Sequence, residues 1–500
     1  MTFTLPELLT RFPSTPDRPA FFFRSTPYSY GWLRSRSDSL GHALAERIRP
    51  GEKVALYAPN CPDFVVSYFA ILKAGGVVIP INPLLTPNEV NYITTNGECS
   101  LLLTHPSVEK KASDLLRLRE DFSVWTMETP EWMALRERET PPLICPVDDP
   151  HRQSAAILYT SGTTGKPKGA VLSHRNLLAD VQGVAEALKI NQDDRFLTVL
   201  PLFHSFGQTV GMLAPLWVNA SFVLAPRFTP EESVSLIQEH GCTLFSAVPA
   251  IFQSLALLPQ ETLKHYDTSS LRFCIAGGAP LPIDLIDRFE EKYGITVYEG
   301  DGPTECSPVT SVNPVGGKRK KGTIGLPIRG VEMRIVDEKG QELPPLTPGE
   351  IAVRGETVML GYFNNEKATR ESFLPGGWYL TGDIGTRDEE GYFTIVDRKK
   401  DMIIINGLNV YPREVEEELY RLPSIREAAV VGTPHPLHGE VPVAFLVLKS
   451  GEVPDHRKVF AYLRNNLAEF KIPRRLYFVD ELPRTATGKV AKNILRERAK

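Results

Sequence analysis

The chain is 500 residues long, which at roughly 150 residues per domain points to about three folding units. Hydrophobic residues at 42% and charged residues at 23% are ordinary globular usage, so composition excludes a disordered chain, a collagen-like fibre and a membrane-embedded bundle. A formal charge of −4, from 56 Lys+Arg against 60 Asp+Glu, gives no general pull toward nucleic acid or anionic lipid.

From the N-terminus, Met1–Pro6 lacks a basic segment followed by an apolar one and does not read as a secretory signal. The most apolar stretch, Phe64–Ile81, is broken by Lys73, Gly75 and Gly76, so it reads as a packed helix and then a strand, with no transmembrane segment. Cys61, Cys99, Cys145, Cys242, Cys274 and Cys306 are scattered without a C-x-x-C pair, which fits reduced thiols and an expected cytoplasmic location. Strand-like runs at Val54–Tyr57, Ser100–Thr104, Phe196–Leu200, Ser221–Leu224, Leu271–Ala276 and Ile295–Tyr298 alternate with amphipathic segments. One of these, Asp284–Tyr293, is closed by Gly294. The alternation predicts parallel α/β layers. From Gly330 the style changes: Val331–Val336 and Glu350–Val353 flank the turn-rich Asp337–Gly349 and predict an antiparallel or barrel-like β subdomain over about 330–397. From Arg398, strands at Ile403–Ile405, Ala428–Val431, Val443–Leu448 and Leu476–Val479 alternate with helices at Pro412–Arg421 and His456–Glu469. The expected fold is therefore α/β: a large N-terminal domain, 1–397, with layered α/β sheets and the β subdomain, then a small mobile α+β domain, 398–500.

The chemistry begins at Tyr159-Thr160-Ser161-Gly162-Thr163-Thr164-Gly165-Lys166-Pro167-Lys168-Gly169, after the apolar strand Ala155–Leu158. Glycines let backbone N–H groups close on an anion, hydroxyls add donors and two lysines add charge, so the segment reads as a phosphate cradle. It is not a Walker A loop, because two residues separate Gly162 from Gly165 and Pro167 stands where a metal-binding hydroxyl is required. Further blocks follow in order: Gly277-Gly278-Ala279-Pro280-Leu281, Gly300-Asp301-Gly302-Pro303-Thr304-Glu305, Gly377-Trp378-Tyr379-Leu380-Thr381-Gly382-Asp383, Asp397-Arg398-Lys399-Lys400-Asp401 and Pro483-Arg484-Thr485-Ala486-Thr487-Gly488-Lys489.

In these blocks the chain resembles the adenylate-forming superfamily of acyl-CoA synthetases, peptide-synthetase adenylation domains and luciferases, from about Leu5 to about Leu495. The resemblance implies ATP, Mg²⁺ and CoA as co-substrates of a small carboxylic acid. A carboxylate oxygen is a poor leaving group, and conversion to an acyl-adenylate makes AMP the leaving group. By resemblance, Thr160, Ser161, Gly162, Thr163, Thr164, Gly165 and Lys168 grip the β/γ-phosphates, and Gly277, Gly278, Ala279, Asp301 and Gly302 border the nucleotide. Thr304 contacts the α-phosphate, Glu305 with Thr163 ligates Mg²⁺, and Asp383 accepts the ribose hydroxyls with Arg398 in support. Lys489 reaches carboxylate and α-phosphate during adenylation, Lys400 is the hinge of the C-terminal domain, and Gly407 lines the pantetheine tunnel.

Two departures from the family pattern stand out. Val490-Ala491-Lys492 after Lys489 puts the register of the trailing helix in doubt. Asp301 stands where the family commonly stacks an aromatic ring on adenine, so the base must be held otherwise, by the backbone of Gly277–Ala279 and by Glu299 or Tyr298.

For the acyl group, Pro201-Leu202-Phe203-His204-Ser205-Phe206-Gly207 resembles the border of the acyl pocket, with Val248, Pro249 and Gly277–Pro280 as further wall. Apolar neighbours and the lack of an acidic partner for an amino group favour a medium- or long-chain fatty acid, or an aryl acid, over an amino acid. An acyl-AMP ligase loading a carrier protein is the alternative of the same class. A non-catalytic nucleotide-binding protein on the same fold is the alternative of another class, disfavoured by Thr304, Glu305, Asp383 and Lys489 together. Lys318-Arg319-Lys320-Lys321 is expected to be solvated charge rather than a nucleic-acid site. His435-Pro436-Leu437-His438 is not expected to bind metal, and oligomeric state is left open.

Overall fold

The computed structural model describes residues 3–12, 15–119, 122–160, 166–406, 408–485 and 489–499. Among them the strands form four sheets. In the nine-stranded sheet, Val297–Asp301, Phe273–Ala276, Leu244–Ala247, Arg195–Thr198, Ser221–Leu224 and Pro19–Phe23 run parallel in that spatial order. A seven-stranded sheet centres on Val77–Pro80 and Lys53–Tyr57, with the antiparallel hairpin Ser154–Thr160 and Lys168–Ser173 on one side. These strands are apolar on both faces because helices cover both, which is why they read as continuous hydrophobic runs.

Local chemistry explains the helices between them. Pro62–Lys73 starts on proline and stops at Gly75, whose φ of +78° turns the chain into Val77–Pro80. Pro87–Asn96 opens with a capping box between Thr86 and Glu89. Ile283–Tyr293 ends on Gly294 at φ +68°, the left-handed cap that glycine adopts without a Cβ clash.

The β subdomain is an antiparallel sheet of Val331–Val336, Gly349–Gly355 and Trp378–Arg387, with Phe373–Leu374 and Phe393–Arg398 both paired to Trp378–Arg387. The C-terminal sheet joins Leu408–Val410, Ile403–Ile405, Gly439–Leu448 and Ile425–His435 in that order, with Arg475–Phe478 parallel to Gly439–Leu448. Its two faces carry separate cores, one around Ile403, Val415 and Leu463 and one around Val431, Phe445 and Leu495. A unit with apolar packing on both faces of its own sheet can hold together without the N-terminal layers. The trailing helix spans Lys492–Ala499, with Lys492 2.8 Å from Glu416 and Arg496 paired to Asp401.

All six cysteines are free and five are buried, and burial pushes the Cys61 thiol up to about 12. No helix among the described residues is long and apolar enough to cross a membrane.

The basic quartet differs from its reading as solvated charge. Lys318 and Lys320 pair with Glu390, Lys320 also with Asp388, Arg319 with Glu290, and Lys321 with Asp287 and Glu290. Partners about 30 to 70 residues away in sequence neutralise it, so it offers no cationic patch. His435 and His438 stack on one another at 4.7 Å, and His438 Nδ1 meets Asn406 Oδ1 at 3.1 Å. The described residues contain no cluster of metal-ligating side chains.

Candidate active site

The C-terminal ends of the parallel strands, the Lys168 hairpin, the β subdomain and the turn before the last helix enclose a cavity of about 930 Å³. Ligands of open α/β sheets bind at such strand ends, where loops are free to diverge. Strand Val297–Asp301 delivers Asp301 to the wall, and the 3₁₀ turn Thr304–Cys306 follows. Between them the backbone passes so close to Pro308 that a Cβ on Gly302 would lie 1.5 Å from the Pro308 carbonyl oxygen; only glycine fits.

Thr304 Oγ1 lies 3.2 Å from Ser205 Oγ. Glu305 is 8% exposed, and its Oε1 accepts from the Tyr362 hydroxyl at 2.8 Å and from Thr160 Oγ1 at 3.4 Å. Lys168 sits over the Tyr362 ring at 5.1 Å. Tyr362 had no sequence signal, because it is brought in by the two-residue strand Gly361–Tyr362 pairing with Lys168–Ser173.

Opposite, antiparallel pairing sets Asp383 beside Arg398, whose Nε donates to Asp383 Oδ1 at 3.0 Å. Burial raises the Asp383 carboxyl, while Arg398, Lys489 and Lys400 pull it down. Glu350, also unforeseen, accepts from Gly382 N–H at 3.1 Å and from Lys399 Nζ at 2.8 Å, fixing the loop that carries Asp383. Lys400 stands in the turn after strand Phe393–Arg398, where Asp401 and Met402 N–H groups donate to the Arg398 carbonyl at 2.9 and 3.0 Å.

Lys489 enters from the C-terminal unit and lines the same cavity. Its backbone is pinned by a pair of bonds with Thr485: Thr485 N–H to Lys489 C=O at 2.7 Å and Lys489 N–H to Thr485 Oγ1 at 3.2 Å. Burial lowers its pKa, as does Arg398, against the pull of Asp301 and Asp383. Asp301 is driven up to about 6 by burial and by Asp383, with Arg398 and Lys489 opposing.

Part of the cavity lining is apolar. Val184 and Leu188, one helical turn apart, line it together with Phe206, Val210, Val309 and Val312. The helix positions had read only as core. His204 lines the cavity, and burial together with Lys489 lowers its pKa to about 4, leaving a neutral imidazole whose Nδ1 accepts from Phe206 N–H at 3.3 Å. Gly277 and Gly278 also line it, whereas Val248 lies behind Gly278, with Cγ1 3.4 Å from where a Cβ there would sit.

Three expected neighbours of the base lie outside the cavity lining. Ala279 faces a separate void of about 20 Å³ together with Glu299. The Glu299 carboxylate accepts from Gly322 N–H at 3.0 Å, and burial raises it to about 7. Tyr298 packs edge-on against Phe273 at 5.3 Å, outside the cavity, because strand alternation places it on the face opposite Glu299 and Asp301. Ser161, Gly162, Thr163, Thr164, Gly165, Gly407, Thr487 and Gly488 lie outside the described residues.

The lining thus combines cations, hydroxyls and the carboxylates of Asp301, Glu305, Glu350 and Asp383 with apolar side chains, which suits a phosphorylated polar substrate beside a hydrophobic one. Comparison with known proteins agrees. The AMP-binding enzyme family matches residues 10–363, and the AMP-binding enzyme C-terminal domain matches residues 414–489. The chain is 35% identical to a long-chain-fatty-acid–CoA ligase of Bacillus subtilis, over 96% of this chain and 92% of that one. It is also 35% identical to a feruloyl-CoA synthase of an Amycolatopsis species, over 97% and 96%. Among solved structures, ATP-bound MatB from Rhodopseudomonas palustris superposes with a TM-score of 0.92 at 32% identity, covering 99% of each chain.

Proposed function

The chain belongs to the AMP-binding enzyme family and is an AMP-forming acid–thiol ligase, and from that premise we propose that its acid is an apolar monocarboxylate of the medium- or long-chain fatty class. The observation that carries this reading is the apolar part of the cavity lining. Val184, Leu188, Phe206, Val210, Val309 and Val312 present no charge, and His204, which lines the same cavity, is neutral and already bonded. An unpaired second carboxylate or a sulfonate buried there would lose several kcal/mol of solvation with nothing to offset it.

In the first half-reaction a carboxylate oxygen attacks the α-phosphorus of ATP, the bond to the β-phosphate oxygen breaks, and pyrophosphate leaves. Lys489 supplies positive charge where it builds up on the α-phosphate and carboxylate oxygens, and Thr304 donates to the α-phosphate. Asp383 accepts the ribose hydroxyls and is held in place by Arg398. Lys168 and the Thr160–Gly165 segment bind the outer phosphates. Glu305 suits Mg²⁺, since it is a buried hard oxygen donor with one oxygen bonded to hydroxyls and the other left for an ion that Thr163 would also hold. When bound, the ion neutralises phosphate charge. In the second half-reaction the CoA thiolate attacks the acyl carbon, the carbon–oxygen bond to AMP breaks, and AMP leaves. Gly407 borders the pantetheine path, and the C-terminal domain turns about Lys400 between the two steps.

The test is acid-dependent ATP–pyrophosphate exchange and CoA-dependent AMP release over a panel of saturated fatty acids, benzoate and ferulate, and malonate and sulfoacetate. Fatty acids should give the highest kcat/KM and the doubly charged acids the lowest. A preference for malonate or sulfoacetate would overturn the acyl reading, and a preference for ferulate would move the substrate to the aryl acids.

A further inference from the structure

Two turns far apart in the sequence meet at the cavity wall. The first follows strand Arg195–Thr198 and is fixed at its base by Asn60. Asn60 Oδ1 accepts from Leu202 N–H at 2.8 Å, and its Nδ2 donates to the Leu200 and Ala225 carbonyls at 3.1 Å each. This turn leads into the short helix Ser205–Gln208, which runs on through Thr209–Leu213. The second is the turn Thr304–Cys306. Ser205 and Thr209, one helical turn apart, both reach it. Ser205 Oγ lies 3.2 Å from Thr304 Oγ1, and Thr209 Oγ1 donates to the Ser307 carbonyl at 2.9 Å.

Each hydroxyl has one hydrogen to give and two lone pairs. Thr209 gives its hydrogen to a backbone carbonyl. Among the described residues the side chains of Ser205 and Thr304 have only one another as hydrogen-bond partners, so one hydrogen joins them and one is left over. Both residues line the cavity, but Ser205 is 4% exposed whereas Thr304 is half-buried. The spare hydrogen therefore belongs on the outer hydroxyl, Thr304, with the deeper Ser205 donating to it.

We propose that Ser205 is a positioning residue for Thr304: its hydroxyl donates to Thr304 Oγ1 and so turns the Thr304 hydrogen toward the α-phosphate. A threonine hydroxyl with no such neighbour rotates to suit whatever acceptor is near, whereas a filled lone pair narrows that choice. A donor aimed before charge develops on the phosphate needs no reorganisation at the moment of reaction. The inference rests on the ligase reading, which supplies the phosphate.

The experiment is a double-mutant cycle on acid-dependent pyrophosphate exchange, using Ser205→Ala, Thr304→Val and the two together, with the acid that the substrate panel favours. Thr304→Val should lower kcat on the order of 10²-fold, the scale of losing one preorganised donor. Ser205→Ala should lower it about tenfold, as expected for one hydrogen bond, and leave KM for the acid unchanged. Ser205→Thr, which keeps the hydroxyl, should recover most of that loss. The double variant should be no slower than Thr304→Val, because Ser205 acts only through the Thr304 hydroxyl. Losses that multiply would give Ser205 a separate role in contact or in folding and overturn the proposal. A Ser205→Ala enzyme with wild-type kcat, or one changed only in KM for the acid, would overturn it too. A second measurement needs no turnover: calorimetric titration of AMP and of adenosine into the wild type and Ser205→Ala. AMP affinity should fall severalfold while adenosine affinity stays the same, and an equal fall in both would show that the hydroxyl serves only the fold. Wild-type enzyme inert in exchange with every acid of the panel would defeat the ligase reading, and the difference between AMP and adenosine would still decide the hydroxyl pair.

Discussion

Glu305 shows how much one oxygen atom can decide. Its Oε1 holds two hydroxyls, Tyr362 at 2.8 Å and Thr160 at 3.4 Å, and those bonds survive amidation if the amide oxygen keeps that place. Glu305→Gln therefore removes the charge while sparing the fold. Pyrophosphate exchange should drop on the order of 10²–10³-fold, the scale of losing one preorganised electrostatic group, and the Mg²⁺ needed for half-maximal rate should rise. A magnesium titration of the exchange rate checks this, and an unchanged requirement would remove Glu305 from the metal. Tyr362→Phe deletes one hydrogen bond to a carboxylate and should cost only about 1.5–3 kcal/mol of whatever the bond contributes to placing that group.

At the scale of elements, short turns at strand ends carry the chemistry and long ladders carry the shape. The helix His174–Ala187, whose far end lines the cavity, begins at His174, whose Nδ1 accepts the Leu5 N–H at 3.3 Å and so ties down the N-terminal turn Leu5–Leu9. Burial lowers this imidazole to about 4 from an ordinary 6.5. As pH falls below 6.5 the unfolded chain takes up the proton and the folded chain does not until about 4, so this group withdraws stability over that window. His174→Leu should lower the melting temperature at pH 8, where the bond is lost without any titration, and should make the melting temperature fall less steeply between pH 6.5 and 4 than in the wild type. Equal slopes would show that the imidazole titrates freely. The parallel strands were legible because a strand buried on both faces is a run of apolar letters. Ile425–His435 and Gly439–Leu448 were read too short, since their ladder continues through Gly432, Pro434 and Glu440, where pairing uses backbone and not side-chain polarity. Thr304, Glu305, Asp383 and Lys489, which line the cleft, stood out in the sequence because each sits in a compact motif. Tyr362, Glu350, Val184 and Leu188 were not, because only the folded chain brings them to the cleft.

For the whole molecule, the C-terminal unit has its own two-faced core, yet it places Lys489 in a cavity built mostly by the N-terminal layers. Contact between the units runs through Asp397, whose Oδ1 and Oδ2 accept from Arg398 N–H at 2.7 Å and Arg413 N–H at 2.8 Å. If the units alternate between two poses, the two half-reactions separate by mutation. Lys489→Ala should slow adenylation on the order of 10²–10³-fold while thioester formation from supplied acyl-AMP persists. Lys400→Pro leaves the Asp401 and Met402 bonds to Arg398 available but fixes φ near −65°, so adenylation should survive and thioester formation fail. Stopped-flow measurement of each step decides; equal slowing of both by Lys489→Ala would rule out alternation. The basic quartet has a consequence on the same scale. The turn Asp388–Glu390 joins the two strands that bear Asp383 and Arg398, and Lys318 and Lys320 moor it to the loop that Arg319 and Lys321 fasten to helix Ile283–Tyr293. Of these pairs Lys318–Glu390 faces solvent, its side chains 61% and 52% exposed, and the Debye length shrinks from ~10 Å at 0.1 M to ~3 Å at 1 M ionic strength. Added sodium chloride should therefore slacken the mooring before it threatens the buried sheets, raising KM for ATP severalfold while the melting temperature scarcely moves. The ribose-binding edge would then answer to the ionic medium through residues that never meet the nucleotide.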